Sequence, residues 1–189
     1  MMEILKTDIE GVVILKPQVF GDARGYFFES YNKTAFDAAI GPIEFLQDNE
    51  SSSSYGVIRG LHFQKGKHAQ AKLVRAIWGA VLDVAVDIRK GSPTFGKYVA
   101  VELSEENKLQ LFIPRGFAHG FSVLSPSAIF GYKCDNTYVS QSEGGVAFDD
   151  PEIGIDWGIP EKDIVLSEKD SRRPLLKDAE VFNINDALY

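Results

Sequence analysis

The sequence predicts an all-β protein, a two-sheet, barrel-like jelly roll with an N-terminal β arm and short peripheral helices. Three observations carry this expectation. Short apolar runs separated by turn signals fill the middle of the chain, residues 80–89 alternate with a period of two, and 189 residues exceed what a small sandwich needs. That length suits one sizeable core and is short for two, so residues 1–189 are read as a single domain.

In chain order, residues 11–20 and 25–31 read as β segments joined by Gly21-Asp22-Ala23-Arg24, an N-terminal hairpin or arm. A brief helix follows, with Asn32 as cap, Ala35, Phe36 and Ala39 on one side, and Gly41-Pro42 as the stop. Residues 50–56, rich in serine, read as a loop leading into a strand over Val57-Ile58-Arg59-Gly60-Leu61-His62-Phe63-Gln64. Residues 71–76 form the next strand and residues 80–89 the clearest one. There Leu82, Val84, Val86 and Ile88 share one face while Asp83 and Asp87 occupy the other, polar one. Beyond the turn Gly91-Ser92-Pro93-Thr94, residues 98–103, 109–113, 120–124 and 129–133 continue as short strands. From Glu143 the chain turns repeatedly, with a short helix expected in residues 167–176.

Composition narrows the function. A net charge of −7 argues against a general electrostatic grip on nucleic acid but leaves room for a local basic pocket that takes a small phosphorylated ligand. No apolar run is long enough to cross a bilayer, and the first residues lack a secretory signal, so no membrane partner is expected. The single cysteine, Cys134, makes no internal disulfide and no thiolate metal site, which fits a reducing cytoplasm.

Chemistry concentrates where Arg59 and His62 put a permanent cation and a titratable imidazole on one apolar run. Their odd spacing sends them to opposite faces of a flat strand, so joint action needs a bulge, which Gly60 permits. As a base, His62 needs an acidic neighbour, and spacing alone does not choose between Asp83 and Asp170. Tyr132 offers a phenolic proton from a strand. Arg24, Arg59, Lys72 and Lys169 offer cations for phosphate oxygens. Each also has an ordinary reading as a core histidine, a packing tyrosine or a solvated charge. The stretch Pro114-Arg115-Gly116-Phe117-Ala118-His119-Gly120-Phe121 resembles the second motif of the cupin superfamily. The first cupin motif would carry two histidines one residue apart with a nearby glutamate. Here the run is His62-Phe63-Gln64, so the usual metal cage is lacking and no metal or other cofactor is expected.

Taken together, Arg59-Gly60-Leu61-His62-Phe63-Gln64, the His119 stretch, Tyr132-Lys133-Cys134 and Ser167-Glu168-Lys169-Asp170 resemble, in this order, the signatures of the dTDP-4-dehydrorhamnose 3,5-epimerase family. Asp22-Ala23-Arg24-Gly25-Tyr26-Phe27-Phe28-Glu29, Gln47-Asp48-Asn49 and residues 79–89 extend the resemblance over nearly the whole chain. It implies a metal-free cupin-type jelly roll (a double-stranded β-helix), usually a homodimer. The implied substrate is dTDP-4-dehydro-6-deoxy-D-glucose, on the way to dTDP-L-rhamnose. By resemblance His62 is the base with Asp170 as its partner, Tyr132 the opposing acid, and Lys72 the stabiliser of developing oxygen charge. Asp83 and His119 support the pocket. Arg24, Glu29, Gln47, Asn49, Arg59, Glu143 and Lys169 match nucleotide-binding positions, and Tyr138 stacks on thymine. A related epimerase inverting only C3 or C5, and a non-catalytic sugar-binding cupin, are the competing readings.

Overall fold

The computed structural model describes residues 2–189. Its strands are β1 (Glu3–Lys6), β2 (Val13–Lys16), β3 (Phe20–Asp22), β4 (Gly25–Phe27), β5 (Gln47–Ser54), β6 (Ile58–Gln64), β7 (Lys72–Trp78), β8 (Ala80–Asp87), β9 (Arg89–Lys90), β10 (Tyr98–Ser104), β11 (Gln110–Ile113), β12 (Phe117–Val123), β13 (Ser127–Cys134), β14 (Glu143–Gly145) and β15 (Phe182–Asn183). One sheet runs β1-β2-β11-β7-β13-β5 and the facing sheet β10-β8-β12-β6-β14, all neighbours antiparallel. This is the expected cupin-type jelly roll. No helix of the described residues is long and apolar enough to cross a membrane.

Three apolar clusters hold the layers together. Between the sheets, Val74, Ala76, Leu111 and Phe130 meet Val81, Ala85, Phe117 and Phe121. Phe121 and Phe130 stack with centroids 4.2 Å apart. On the outer face of the five-stranded sheet, Ile58, Leu61, Val84, Val86 and Ile88 are covered by the tail through Ile153, Trp157, Leu176 and Phe182. On the outer face of the six-stranded sheet, α1 (Lys33–Ala39) seats Phe36 against Leu15, Leu73 and Phe112. That helix starts as predicted, with the Ala35 N–H donating to the Asn32 side chain at 3.1 Å.

Several expectations are corrected. Of the run expected as a loop, residues 50–54 are instead most of β5, the edge of its sheet, in register with β13 from Ser127↔Ser54 to Cys134↔Gln47, and only residues 55–56 turn. Its ladder bonds come from the main chain, so serine's weak strand preference is overridden by a neighbour of high strand propensity. Residues 167–176 form no α-helix. They carry the 3₁₀ turn Asp170–Arg172 and lead into another at Leu176–Asp178. The period of two in β8 is real, yet both faces are buried. Asp83 and Asp87 point away from the tail and are fully shielded from solvent, while the opposite face is roofed by the tail. Unpredicted β1, β14 and β15 are short pieces whose pairing is supplied by distant partners. Residues 11–20 do not pair with 25–31 as expected: Val13–Lys16 joins the six-stranded sheet between β1 and β11, and only Phe20–Asp22 pairs with Gly25–Phe27, a short hairpin that leaves Phe20, Tyr26 and Phe27 more than half exposed.

Asp87 shows how a buried charge is accommodated. Its carboxylate accepts bonds from the Arg89 guanidinium at 2.8 and 2.9 Å, Ser92 Oγ at 2.5 Å and Thr94 Oγ1 at 2.7 Å. Burial pushes its pKa up, but these donors outweigh burial and hold it below the usual carboxylate value. Asp87→Ala, which leaves the donors unpaired, is expected to cost about 3 kcal/mol in urea unfolding near neutral pH. Because the folded carboxyl is the stronger acid, its contribution is complete above about pH 4 and fades as pH falls through the folded pKa. The gap between wild type and mutant should therefore narrow on acidification; a gap that is absent at neutral pH, or constant down to acid, would contradict this role.

Candidate active site

A cavity of about 560 Å³ opens between the sheets, a size that suits a small organic ligand. Strands β5, β6, β7 and β13 supply Gln47, Asn49, Arg59, His62, Gln64, Lys72 and Tyr132. The segment after β13 adds Tyr138 and Glu143, and the tail adds Ser167, Lys169 and Asp170. Arg59 and His62 line the same cavity despite their odd spacing, because the β6–β12 register slips between His119 and Phe121, beside Gly60. Gly60 has φ +137°, and a Cβ there would fall 2.5 Å from Gly120 Cα. Glycine is needed on both strands at this crossing.

The question of which carboxylate serves which imidazole has a geometric answer. His62 Nε2 lies 2.5 Å from Asp170 Oδ1, and His119 Nε2 lies 2.8 Å from Asp83 Oδ1. Asp170 is 5% exposed, its N–H donates to Ser167 Oγ at 3.1 Å, and Arg173 Nε stands 3.8 Å from Oδ1. Burial pushes the Asp170 carboxyl up, yet the bond and charge of His62, with Ser167 and Arg173, hold it below the usual range. It is therefore an anion at neutral pH, able to stabilise an imidazolium. His119 is buried against Phe130, and burial keeps its pKa below the ordinary imidazole value in spite of Asp83.

Lys72 and Tyr132 meet on neighbouring strands, with the ammonium 5.8 Å from the phenol ring centre. Burial lowers the Lys72 pKa against the pull of Cys134, Asp83 and Glu143. Burial, reinforced by Cys134, raises that of Tyr132, so the phenol retains its proton. Toward the outer end, Glu143 accepts bonds from Tyr138 Oη at 2.7 Å, from Lys169 Nζ at 2.6 Å and from the Arg173 guanidinium. Burial opposes its charge, but those three donors bring its pKa down to about 2. Arg59 Nε donates to Ser53 Oγ at 3.0 Å, and Gln47 Nε2 donates to Asn49 Oδ1 at 2.9 Å.

Not every predicted residue arrives here. Arg24 and Glu29 are exposed near the β3–β4 hairpin, outside this cavity, Arg24 paired with Asp22 and Glu29 accepting from Asn32. His119 and Asp83 form a buried pair that does not line the cavity. Conversely, Gln64, Gln70, Cys134 and Ser167 line it without having been singled out, and Arg173 stands behind it between Glu143 and Asp170. Only proximity in sequence to His62 and Asp170 hinted at Gln64 and Arg173. Among the described residues, no three His, Cys, Asp or Glu side chains converge as metal ligands do.

A family model described as dTDP-4-dehydrorhamnose 3,5-epimerase matches residues 6–178. The chain is 56% identical over 183 residues to the dTDP-4-dehydrorhamnose 3,5-epimerase of Salmonella typhimurium (strain LT2), covering 95% of this chain and 98% of that one. Among solved structures, the dTDP-4-dehydrorhamnose 3,5-epimerase of Elizabethkingia anophelis NUHP1 is 58% identical with a TM-score of 0.90, covering 94% of this chain and 97% of that one. The dTDP-6-deoxy-D-glucose-3,5-epimerase of Legionella pneumophila Philadelphia 1, solved with dTDP-4-keto-L-rhamnose, is 45% identical with a TM-score of 0.94, covering 97% and 98%.

Arg173 joins the two acidic centres, so its loss should be felt at both. Arg173→Met keeps the apolar stem and removes the guanidinium, leaving Glu143 and Asp170 each short of a cation. We expect kcat/KM to fall by roughly tenfold or more with the fold retained, measured by steady-state kinetics alongside circular dichroism. An unchanged kcat/KM would show that the bridge is dispensable.

Proposed function

The chain belongs to the dTDP-4-dehydrorhamnose 3,5-epimerase family, and from that premise we propose how its residues invert C3 and C5 of dTDP-4-dehydro-6-deoxy-D-glucose to give dTDP-4-dehydro-L-rhamnose in dTDP-L-rhamnose biosynthesis. The observation that carries the reading is that His62 and Tyr132 come from opposite sheets and line one cavity, so a sugar ring between them is reached on both faces. The C4 ketone acidifies the hydrogens on C3 and C5. His62 takes one of these protons, and the C–H electron pair moves into an enolate whose charge settles on the C4 oxygen. Asp170 orients the imidazole and stabilises its charged form, and the Lys72 ammonium stabilises the oxyanion. Tyr132 then protonates the carbon from the opposite face, and once His62 has released its proton to water and Tyr132 has regained one from water, the sequence repeats at the second carbon.

The nucleotide takes the outer end, with Gln47, Asn49, Arg59, Glu143 and Lys169 as polar contacts and Tyr138 stacking on thymine. Asp83 and His119 support the floor. Arg24 and Glu29 lie away from their own cavity, on an arm whose Phe20, Tyr26 and Phe27 are exposed. A homodimer in which the arm completes the partner's nucleotide site accounts for both features. The working enzyme on this account is a cytoplasmic dimer of single-domain chains spanning residues 1–189.

Two tests follow. In deuterated water, His62→Ala should abolish hydrogen exchange at C3 and C5, whereas Tyr132→Phe should still exchange through His62 with retention while net inversion, most steeply at C5, falls. Full-rate exchange in His62→Ala, or wild-type inversion in Tyr132→Phe, would defeat the assignment. Sedimentation at working concentration should give a dimer; a fully active monomer would refute the shared site.

A further inference from the structure

We propose that Gln64 is a positioning residue for nucleotide binding, acting through the segment that carries Tyr138. The inference rests on the nucleotide placement above and goes beyond it by naming what holds that end of the cavity in shape. Residues 135–142 run from the end of β13 to the start of β14, and so link the strand of Tyr132 to Glu143. They contain no strand, only the 3₁₀ turn Ser140–Ser142, and Tyr138 within them is half exposed at the cavity wall. A ring placed this way on an irregular segment needs anchors.

Most of those anchors come from one stretch, residues 64–71, at the end of the His62 strand and just beyond it, while Glu143 holds Tyr138 Oη at 2.7 Å and Arg115 Nε donates to Asp135 Oδ2 at 2.8 Å. Gln64, 3% exposed, accepts the Val139 N–H on Oε1 at 2.9 Å. The Lys65 N–H donates to Ser142 O at 2.7 Å, and Gln70 Nε2 donates to Asn136 O at 2.7 Å. Asn136 Nδ2 returns bonds to Lys67 O at 3.1 Å and Ala69 O at 3.4 Å, and the Ala71 N–H donates to Asp135 Oδ1 at 2.6 Å. From the other side, Gln47 Oε1 accepts the Tyr138 N–H at 3.0 Å. Adjacent main-chain donors, those of residues 138 and 139, are thus each held by a glutamine side chain. Of the pair, Gln64 is the buried one and takes the position where a metal-binding cupin motif would place its second histidine. Its amide here faces the chain that carries Tyr138.

The consequence falls on binding and not on chemistry. With the Gln64 acceptor removed, the Val139 N–H loses its partner, and the segment gains alternatives in which Tyr138 leaves the wall. If the competent arrangement falls to about one-tenth of molecules, the Kd for dTDP and the KM for the sugar nucleotide each rise about tenfold, while kcat at saturation is kept. Gln64→Met matches the side chain in length and removes the acceptor. Asn136→Ala loosens the same segment from a residue that does not line the cavity.

The test is a double-mutant cycle read by calorimetry with dTDP and by steady-state kinetics. Gln64→Met and Asn136→Ala should each raise Kd and KM about tenfold with kcat within about twofold of wild type, and in a Tyr138→Ala background Gln64→Met should add little further. Unchanged Kd in Gln64→Met, a loss confined to kcat, or a full additional loss in the Tyr138→Ala background would overturn the proposal. Wild-type protein that binds dTDP yet fails to epimerise would instead count against the catalytic reading, so the two failures are distinguishable.

Discussion

A single contact joins two distant parts of the chain at the cavity: His62 Nε2 against Asp170 Oδ1, residues separated by 108 positions in the chain. The imidazole sits on β6, inside the five-stranded sheet, but its carboxylate arrives on a 3₁₀ turn of the tail. For the pair to form, the tail must lie across the outer face of that sheet, which it does by burying Ile153, Trp157, Leu176 and Phe182 against Val84, Val86 and Ile88. Hydrophobic burial on one face of the sheet therefore supplies the electrostatic partner needed at the cavity. The Val57–Val165 bridge and the Ile58 N–H to Val165 O bond at 3.0 Å pin the same tail segment beside Arg59.

The two histidine–carboxylate pairs look alike on paper and differ in surroundings. His62 lines the cavity, whereas His119 is sealed behind it against Phe130 with its pKa lowered by burial. Glu143, Lys169, Tyr138 and Arg173 form a separate network at the outer end of the cavity, and Arg173 reaches from it toward Asp170. The close strand approach at Gly60 and Gly120 lies beside Arg59 and His62, and a side chain at Gly145 would collide with the Arg173 stem. Charge placement and close backbone packing are here one design problem.

Much of this was legible in the sequence because it depends on local pattern. The strand alternation of β8, the Asn32 cap and the bulge near Gly60 each have a short-range cause. What was hidden depended on distant partners. Ser51 to Ser54 carry no strand signal of their own and are strands because β13 lies alongside. Asp83 and Asp87 read as a polar face because nothing local announces a tail that buries the opposite side. Arg173 and Gln64 looked like ordinary neighbours of motif residues, since a bridge between Glu143 and Asp170 and a clamp on Val139 exist only once the chain has closed. The family resemblance named Asp170 over Asp83 where spacing could not, and the geometry explains that choice by giving each histidine its own acid.

With Asp170 Oδ1 against Nε2, His62 is expected to hold its proton on Nε2 and to leave Nδ1 to accept the substrate's proton. Long-range proton–nitrogen NMR of the imidazoles observes this directly, and with three histidines in the chain the signals can be assigned by substitution. Neutral His62 is expected to carry its proton on Nε2 in the wild type and to become a mixture of tautomers in Asp170→Asn, with proton abstraction from the sugar lost in parallel. A wild-type His62 protonated on Nδ1, or a tautomer and an abstraction rate that ignore Asp170→Asn, would contradict it.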